Sequence, residues 1–540
     1  MNTNTINVLL PEIALVVAAT VIFVAGAFFD ARGGWRWIAC CALSASGAAL
    51  FWQAGAFGLL LSGSRPAAAF GPVSIDAFSY LTCWFALGLG LLLLLAAELP
   101  GRIGPSSEWV ASLLLVVAGM MLSVHANDLV LIFMALELIS IPTYVLLVLS
   151  RPSAVGREAT VKYFFLSVVS SGILLYGFSF LYGATGSTEV ASLAAVSGTG
   201  GSATLVHLGL LLSLAGLGMK IALVPFHFYA PDVYQGTSPT AAALLATVPK
   251  VAGIAVLLRL GAAAGFDLTA LSWQLLVCMA ILTMTVGNVM ALWQRNVRRL
   301  LAFSSIAHAG YLLIGLSVWA AVRSHSGLPA GPASELAVQS VSATLFYLVG
   351  YAAATVGAFA ALGYLSRRSA GVERVADLDG MAATYPAAAA TLSICMLSLT
   401  GLPPMVGFWG KLFLILRAMS VVNDAGQSGG NLWVWFIVLA VATVLNAAIS
   451  AAYYLRLVAA MYFRPLRGEA VSESVELAAS RTAPGAALAM GICGLLVLAT
   501  GFNPAPLMRY ADAAAKSAAT PLTAVPADRM ATSAKVPAQR

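Results

Sequence analysis

The chain has 540 residues, of which 60% are hydrophobic and 9% are charged, and its mean hydropathy is +0.92. Soluble domains carry about 25% charged residues, so this composition excludes a soluble enzyme or binding module and indicates an integral membrane protein. The formal net charge is +7. The basic residues do not cluster with aromatic residues into the patch that nucleic-acid binding requires, so nucleic acid is not expected as a partner.

Apolar runs long enough to cross a bilayer as helices recur along nearly the whole chain. A run of about 18 apolar residues spans a hydrocarbon core of about 30 Å. The sequence therefore predicts an all-α polytopic membrane protein with about fourteen transmembrane helices in a single domain, residues 1–502. The predicted runs cover residues 6–29, 36–61, 75–97, 109–124, 128–149, 160–183, 204–230, 239–261, 271–292, 299–321, 336–365, 384–424, 432–462 and 484–502.

The two ends of the chain differ in character. The first run follows MNTNTINVLLPE, which lacks the basic region of a cleavable signal, so this run is expected to remain as a permanent helix. Residues 503–540 are rich in Ala, Pro and Ser. This composition is typical of a flexible extramembrane tail.

Arginine is distributed unevenly between the two sets of alternate loops. The loops of one face contain only Arg65 and Arg323, and those of the opposite face contain fourteen arginines, although the C-terminal tail adds five cations to the poorer face. Basic loops remain on the cytoplasmic side, so both termini are predicted to lie outside the cytoplasm. The fourteen are Arg32, Arg36, Arg102, Arg151, Arg157, Arg295, Arg298, Arg299, Arg367, Arg368, Arg374, Arg464, Arg467 and Arg481.

The six cysteines lie within or at the ends of apolar runs and show no CxxC spacing. They therefore lack the patterns of a zinc site, an iron–sulfur cluster or a disulfide framework. The sequence also contains no nucleotide, flavin or haem motif. No metal or cofactor is predicted in this chain, and the cysteines are expected as small core residues. They are Cys40, Cys41, Cys83, Cys278, Cys395 and Cys493.

Lysines and one carboxylate stand out inside the predicted spans. Four of the six lysines, Lys162, Lys220, Lys250 and Lys411, lie in spans, and Glu137 is the carboxylate near the centre of a span, whereas almost all arginines lie in loops or at span ends. An ionised group at the centre of a bilayer costs roughly 2.5–3.5 kcal/mol, so each must be paired or reached by water. Lysine also changes its protonation more readily than arginine when it is buried. This pattern favours a site that binds and releases protons.

The alternative explanation is a lysine whose side chain extends to the membrane surface. For Lys162, near the start of its run, both explanations stay open. Lys250 lies about eleven residues from either end of its run, roughly 16 Å, which is beyond the reach of its side chain. Lys220 and Lys411 lie within about seven residues of a proline-containing break, where water can reach them.

Two predicted spans contain proline at membrane depth, in MKIALVPFHFYAPD (Pro225) and LSLTGLPPMVGFWGKLF (Pro403, Pro404). Proline removes an amide donor, and unwound backbone at this depth is tolerated only against protein or a water-filled cavity. The breaks are about 180 residues and five spans apart, and an odd offset reverses the direction across the bilayer. This predicts two inverted-topology five-helix repeats, residues about 109–261 and 271–462, each with one discontinuous helix. Two unrelated proline kinks are the alternative.

Two histidines accompany these features. His227 follows Pro225 closely, and His308 lies within a later span. Either residue taken alone is better explained as a hydrogen-bonded core histidine. Imidazole nevertheless titrates near neutral pH, which suits a proton relay along the same candidate path.

At these residues the chain resembles the antiporter-like membrane subunits of bacterial NADH-quinone oxidoreductase, respiratory complex I, a family shared with Mrp-type cation/proton antiporters. The matching stretches are ELISIPTY, EATVKYFFLS, GLGMKIALVPFHFYAPDVYQG, ATVPKVAG, RRLLAFSSIAHAGYLLIGL and GLPPMVGFWGKLFL. PFHFYAPDVYQG, SSIAHAGY and Lys411 are more similar to the N-type subunits than to the M and L types. Tyr229 stands where the family usually has tryptophan, and GTSPT replaces its usual GAPT turn, but the charged positions are unchanged.

The resemblance implies a proton channel with a role for each matching residue. Glu137 and Lys220 would form an ion pair, Lys250 would be the central relay, and Lys411 would pass the proton toward the periplasm. His308 would bridge the two half-channels. The channel residues implied in this way are Glu137, Lys162, Lys220, His227, Lys250, His308 and Lys411, with His227 and Asp232 at the cytoplasmic opening.

The resemblance also implies a location and partners. The chain would be a proton-pumping subunit of NADH:quinone oxidoreductase in the bacterial inner membrane, beside M-type and small K-, J- and A-type membrane subunits and membrane lipids. Flavin, iron–sulfur clusters and quinone are expected in partner subunits, with no redox chemistry in this chain.

Two other functions stay open at this point. In the first, the chain is a subunit of an Mrp-type cation/proton antiporter, which is a transporter and not part of a redox enzyme. In a purely structural role the buried charges would only hold helices together, and Lys220→Ala or Lys250→Ala would then disturb assembly as much as pumping.

Overall fold

A computed structural model of the chain describes residues 3–29, 34–56, 68–97, 106–151, 153–196, 200–264, 271–324, 330–368, 371–425, 432–465 and 484–518. These residues are mostly helical, and the sheet among them is a hairpin of two short antiparallel strands that pairs Ala68 with Ile75 and Phe70 with Val73. The predicted all-α membrane fold is confirmed. Of the arginines used for the orientation, Arg32, Arg65, Arg102, Arg467 and Arg481 lie outside the described residues.

The elements follow one another in chain order. The first part contains α1 (Thr3–Val8), α2 (Leu10–Phe28), α3 (Gly34–Ala56), β1 (Ala68–Phe70), β2 (Val73–Ile75), α4 (Ala77–Ala96), α5 (Ser107–His125), α6 (Leu129–Ser150) and α7 (Ala154–Thr185). The middle contains a 3-10 turn (Val190–Ser192), α8 (Leu193–Val196), α9 (Gly200–Lys220), α10 (Ala230–Gly236), α11 (Pro239–Ala263), α12 (Leu271–Leu292), α13 (Val297–Ser324) and α14 (Ala330–Arg368). The last part contains a 3-10 turn (Val375–Leu378), α15 (Met381–Thr384), α16 (Pro386–Thr400), α17 (Val406–Ala425), α18 (Leu432–Phe463), α19 (Pro484–Phe502) and α20 (Ala505–Ala518).

Thirteen helices among the described residues are long and apolar enough to cross a membrane. They correspond to thirteen of the fourteen predicted runs. The remaining run, residues 384–424, is divided into α16, an apolar helix of 15 residues, and α17. The predicted number of crossings is therefore retained, with this crossing made by two helices in succession.

The helices differ in how much of their surface other helices cover. Buried residues make up 94% of the apolar stretch of α11 and all of that of α13, but only 28% of that of α2. Within this chain, α2 is therefore peripheral, and α11 and α13 are central. Alanine and glycine are frequent in α11, and small residues let neighbouring helices approach closely. Lys250 and His308 lie on these two central helices.

The first predicted break begins before its proline. Leu223 N–H donates to Gly218 O at 2.8 Å, and Ala222 N–H donates to Met219 O at 3.1 Å. This pair of bonds is the Schellman motif, in which the residue after the helix is left-handed. Ala222 accordingly has φ 60°. The motif ends α9 at Lys220 and satisfies two carbonyl groups that would otherwise be left without partners.

The second break uses the same backbone turn. Leu402 N–H donates to Leu397 O at 3.1 Å, and Gly401 N–H donates to Ser398 O at 3.0 Å. Gly401 is left-handed with φ 91°, so α16 ends at Thr400 as α9 ends at Lys220. Both predicted discontinuous spans are therefore present. The repeat boundaries themselves stay a prediction.

The prediction of a flexible tail is wrong for residues 505–518. Residues 505–518 form α20, which packs against α4 and α14. One face of α20 is a stripe of buried alanines at helical spacing, and Ser342 donates a 2.5 Å hydrogen bond to Asp512. Burial of that stripe fixes the helix although few of its side chains are large and apolar. Residues 519–540 of the predicted tail lie outside the described residues.

The cysteines are not all in the core. Cys83, Cys395 and Cys493 are buried, Cys40 and Cys278 are partly buried, and Cys41 is exposed on α3. The predicted core role is therefore wrong for Cys41.

Candidate functional site

The paired charges that the resemblance implies meet between α6, α7 and α9. Lys220 Nζ lies 3.4 Å from Glu137 Oε1, and it donates hydrogen bonds to the hydroxyls of Ser140 at 2.8 Å and Ser171 at 3.2 Å. Ser171 also donates to the Glu137 carboxylate. The side chain of Lys220 is 8% exposed and that of Glu137 is 20% exposed. A carboxylate and two hydroxyls therefore replace the water that this ammonium loses.

The unwound segment after α9 places polar groups and free space beside Lys220. The Tyr229 hydroxyl lies 2.9 Å from Met219 O and 3.4 Å from Lys220 O, and Val224 N–H donates to Thr283 Oγ1 at 3.1 Å. A cavity next to Lys220 has room for about one water molecule. Its other lining residues are Tyr163, Leu166, Ser167, Ser170, Met219 and Tyr229. These bonds satisfy backbone groups at the break, and the cavity leaves space for a water molecule beside Lys220.

Lys250 is in the middle of α11 and is 1% exposed. Its ammonium donates to the Ser305 hydroxyl and lies 5.5 Å from the centroid of the Tyr351 ring, within the range of cation–π attraction. The Tyr351 hydroxyl is 2.9 Å from Ser305 Oγ, and the Tyr234 hydroxyl is 3.3 Å from it. Among the described residues, Lys250 thus contacts hydroxyl and aromatic groups, whereas Lys220 contacts a carboxylate.

His308 lies on α13 with both ring nitrogens bonded to tyrosine hydroxyls. Nδ1 is 2.5 Å from the Tyr347 hydroxyl and Nε2 is 3.0 Å from the Tyr454 hydroxyl. The His308 ring centroid is 4.9 Å from that of Tyr351. Because Tyr351 also packs against Lys250, a single aromatic ring separates His308 from the central lysine.

Lys411 is held on the other side of His308 by backbone groups. Its ammonium donates to Leu399 O and Thr400 O, both at 2.8 Å. These carbonyls end α16, and the C-terminus of a helix carries partial negative charge. The ammonium also lies 4.8 Å from the centroid of the Tyr311 ring, whose centroid is 5.6 Å from that of His308. Lys411 is therefore one aromatic ring away from His308.

We call Glu137, Lys220, Lys250, His308 and Lys411 the buried series. Lys162 and His227 lie outside it. Lys162 has a side chain that is 42% exposed, and it forms ion pairs with Glu158 at 2.8 Å and Asp232 at 3.0 Å. Of the two explanations left open for Lys162, a side chain that reaches the membrane surface fits this position. His227 is partly buried in the unwound segment, with its ring 5.1 Å from that of Phe228.

Asp232 on α10 connects two helices near Lys162. Its carboxylate is 3.0 Å from Lys162 Nζ and 2.5 Å from Arg299 Nη1. Partial burial alone would raise the pKa of Asp232, but hydrogen bonds from Lys162 and Arg299, together with their charges, lower it. Asp232 is therefore ionised at neutral pH, at the end of the molecule predicted to face the cytoplasm.

Sequence reasoning missed the hydroxyl groups that connect the charges. The available signals are the spacing of Ser305 and His308, three residues apart, and of Tyr347 and Tyr351, four apart, which put each pair on one helix face. The missed residues are Ser140, Ser171, Tyr234, Ser305, Tyr311, Tyr347, Tyr351 and Tyr454.

Known proteins are similar to this chain in sequence. A family profile described as "NADH:quinone oxidoreductase/Mrp antiporter, TM" matches residues 126–446, a range that contains the whole buried series. NADH-quinone oxidoreductase subunit N of Trichlorobacter lovleyi is 35% identical over 521 residues, covering 95% of this chain and 98% of that protein. The protein of the same name from Paramagnetospirillum magneticum is 33% identical, covering 94% of this chain and 96% of that protein.

Solved structures show the same similarity. A chain of respiratory complex I from Thermus thermophilus with bound aureothin has a TM-score of 0.70 and 32% identity, covering 92% of this chain and 98% of that chain. A chain of the Mrp complex from Dietzia sp. DQ12-45-1b has a TM-score of 0.75 at 23% identity, covering 96% and 98%. The similarity to the Mrp chain shows a shared fold alone.

Proposed function

The chain belongs to the family of NADH:quinone oxidoreductase and Mrp antiporter membrane subunits, and on this premise we propose that its buried charges carry protons through the membrane in steps. Its relatives are subunits N of NADH-quinone oxidoreductase over nearly the whole chain, and its function is that of a proton-translocating membrane subunit of this enzyme. The residues proposed to carry the protons are Glu137, Lys220, Lys250, His308 and Lys411.

The observation that carries the proposal is the environment of Lys250. An ammonium that is 1% exposed at the middle of a span is bonded to a serine hydroxyl rather than to a carboxylate. Holding an ionised group at this depth costs roughly 2.5–3.5 kcal/mol. A residue that only holds helices together does not require a charge, and so does not require this cost. From Lys250, contacts continue through Tyr351, His308 and Tyr311 to Lys411.

The ion pair between Glu137 and Lys220 supplies the driving step. Two unit charges about 4 Å apart attract by about 4 kcal/mol in partly buried surroundings. Separating them leaves Lys220 without its counter-charge, so that it holds its proton less firmly and passes it toward Lys250. Moving one charge against 100 mV requires about 2.3 kcal/mol, which this change exceeds.

Lys411 receives the proton at the other end of the series. The carbonyls of Leu399 and Thr400 stabilise the ammonium but cannot themselves take its proton, so they hold the charge without competing for it. His308 is placed to pass a proton between the two lysines because imidazole binds and releases protons near neutral pH.

The remaining parts of the enzyme are assigned to other chains. Flavin, iron–sulfur clusters and the quinone reaction belong to partner subunits, and the neighbours of this chain are other complex I membrane subunits, including the M type and the small K, J and A types. The bacterial relatives support a location in the bacterial inner membrane, and the uneven distribution of arginine supports an orientation with both termini on the periplasmic side.

The test is Lys250→Ala in the intact, reconstituted complex, with Lys162→Ala as the matched control. Both changes remove an amine, one buried in the series and the other exposed and paired near the surface. We expect Lys250→Ala to assemble and to lose most proton translocation and the quinone reductase turnover coupled to it, because the relay is interrupted. Lys162→Ala should retain most of both activities.

Two results would contradict the proposal. Normal pumping by the assembled Lys250→Ala complex would show that this amine carries no proton. Failure of Lys250→Ala to assemble, with Lys162→Ala assembling normally, would favour a structural role. A deletion strain distinguishes the antiporter alternative. It should lose NADH-driven proton pumping, whereas loss of sodium resistance with pumping retained would favour the Mrp function.

A further inference from the structure

Three side chains able to bind a metal ion meet on helices that do not carry the proposed proton path. Glu12 lies on α2, Cys83 on α4 and His125 at the end of α5. His125 Nδ1 is 2.6 Å from Glu12 Oε1, and Cys83 Sγ is 4.0 Å from that nitrogen and 3.9 Å from Nε2. One ligand atom of each residue lies within 4.8 Å of the other two.

The cluster is buried, and its carboxylate is incompletely bonded. Glu12, Cys83 and His125 are 5%, 0% and 1% exposed. Glu12 Oε1 contacts His125, but Glu12 Oε2 is buried without a hydrogen-bond partner among the described residues. Buried polar atoms in native proteins are almost always satisfied by protein, water or an ion. The unpartnered oxygen therefore points to a ligand shared by the three side chains.

We propose that Glu12, Cys83 and His125 form a binding site for a divalent metal ion of the zinc class. Carboxylate, thiolate and imidazole are the ligand types that Zn²⁺ accepts, and three protein ligands leave the fourth tetrahedral position to water. Mg²⁺ and Ca²⁺ prefer oxygen ligands, so this set selects against them. With ligand distances of about 2.0–2.3 Å, binding requires the Glu12 and His125 atoms to move apart by less than about 1 Å.

Metal binding at this site exchanges protons for the ion. The thiol of Cys83 and the hydrogen bond between His125 and Glu12 each give up one proton to solvent, and Zn²⁺ takes their place without any electron transfer. The neighbouring guanidinium of Arg259 does not compete for Glu12 because it forms two bonds with Asp76, at 2.6 and 2.9 Å.

The site lies beside the β1–β2 hairpin. Ser74 Oγ is 3.4 Å from the carbonyl oxygen of His125, and Val73 forms a β-bridge with Ala126. The arginine distribution puts this hairpin on the periplasmic side. A bound ion would join α2 to α4 and α5 at that end. Sequence spacing could not show the site because its ligands come from three separate helices.

The first test measures metal bound to the purified intact complex after exposure to Zn²⁺ and removal of free metal. We expect wild type to bind one zinc per copy of this chain more than Cys83→Ala or His125→Gln. Cys395→Ala is the matched control, since Cys395 is equally buried and packs near Cys493 instead of a histidine. Equal zinc in wild type and both ligand variants would overturn the proposal.

A second probe reports the ligand type directly. Co²⁺ bound in the same site should give a thiolate-to-cobalt absorption band that is lost in Cys83→Ala and retained in Cys395→Ala. A band that persists in Cys83→Ala contradicts the assignment.

Wild type alone gives the third test, which holds even where a variant fails to assemble. A cryo-electron microscopy map of the zinc-treated complex should show density joining Glu12, Cys83 and His125. A zinc-treated map without that density, and with the Glu12–His125 contact unchanged, would identify the cluster as a buried ion pair only.

Discussion

His308 is the residue at which the contacts from Lys250 and Lys411 meet. Its two ring nitrogens are bonded to the hydroxyls of Tyr347 and Tyr454. A neutral imidazole donates at one nitrogen and accepts at the other, so one tyrosine hydroxyl receives a hydrogen bond while the other donates one. Passage of a proton through the ring reverses these roles, and both tyrosines must then reorient.

Tyr454→Phe should therefore slow proton transfer, whereas Tyr453→Phe should not. The change removes the hydroxyl at His308 Nε2, and losing one such hydrogen bond corresponds to about tenfold in rate. Tyr453→Phe is the matched control, because the Tyr453 hydroxyl donates to Asn288 at 2.9 Å. The measurement is the rate of proton translocation by reconstituted complexes. Equal loss in both variants would contradict a specific role for the Tyr454 hydroxyl.

For single residues, the sequence predicts the buried charged side chains better than it predicts their hydrogen-bond partners. Glu137, Lys220 and Lys250 are recognisable because ionised groups are rare and costly at bilayer depth. Their serine and tyrosine partners are common residues in spans, and only the packing of helices distant in sequence brings Ser305 to Lys250. Lys162 has the same composition signal, yet its position near a helix end leaves it exposed.

Among the elements, the two broken spans show how similar turns arise from different residues. Both end in a Schellman motif with a left-handed residue, which is Gly401 in one span and Ala222 in the other. Left-handed backbone costs a residue with a Cβ atom roughly 1–2 kcal/mol, whereas glycine adopts it freely. Prolines in the sequence predict both breaks, but the left-handed alanine has no sequence signal.

Substitutions at these two positions should have opposite effects on stability. Ala222→Gly should stabilise the complex by up to about 1 kcal/mol, because it relieves the backbone strain at a small cost in chain entropy. Gly401→Ala should destabilise it by about 1–2 kcal/mol, and its new Cβ would lie 3.0 Å from Lys411 Cδ. Thermal inactivation of the purified complexes measures both. Effects of the same sign would show that the left-handed conformation is not what limits stability there.

The ion pairs of Asp232 should make the stability contributed by the contacts between helices depend on pH. Its carboxylate joins α7 to α13 through Lys162 and Arg299, and these contacts lower its pKa. A group whose pKa is lower in the folded state contributes stability above its unfolded pKa, and this contribution is lost as the pH falls through the folded value. Wild type should therefore lose a small increment of stability on acidification that Asp232→Asn lacks.

The measurement is the thermal midpoint of both proteins across the acid range. The increment should be small and should shrink with added salt, because these groups are exposed and screened by solvent. Parallel pH profiles for wild type and Asp232→Asn would show that the ion pairs do not contribute.

For the whole molecule, the length of the apolar runs is sufficient to predict the number and order of the spans. The same runs do not show which spans are central, since α2 and α11 are similarly apolar but differ in burial. Composition predicts residues 505–518 as tail because they are rich in small and polar residues. The buried alanines of α20 are spaced as i, i+3, i+4 and i+7 from Ala511, and that period is the available helix signal.

Replacing Lys250 by arginine tests most directly whether the buried amine works by exchanging a proton. Arginine keeps the positive charge and stays protonated in proteins, whereas a buried lysine can release its proton. The measurement is proton translocation by assembled, reconstituted Lys250→Arg complexes, compared with Lys250→Ala and wild type. We predict that Lys250→Arg pumps no better than Lys250→Ala. Restoration of wild-type pumping by arginine would contradict the account, because a fixed charge would then be sufficient.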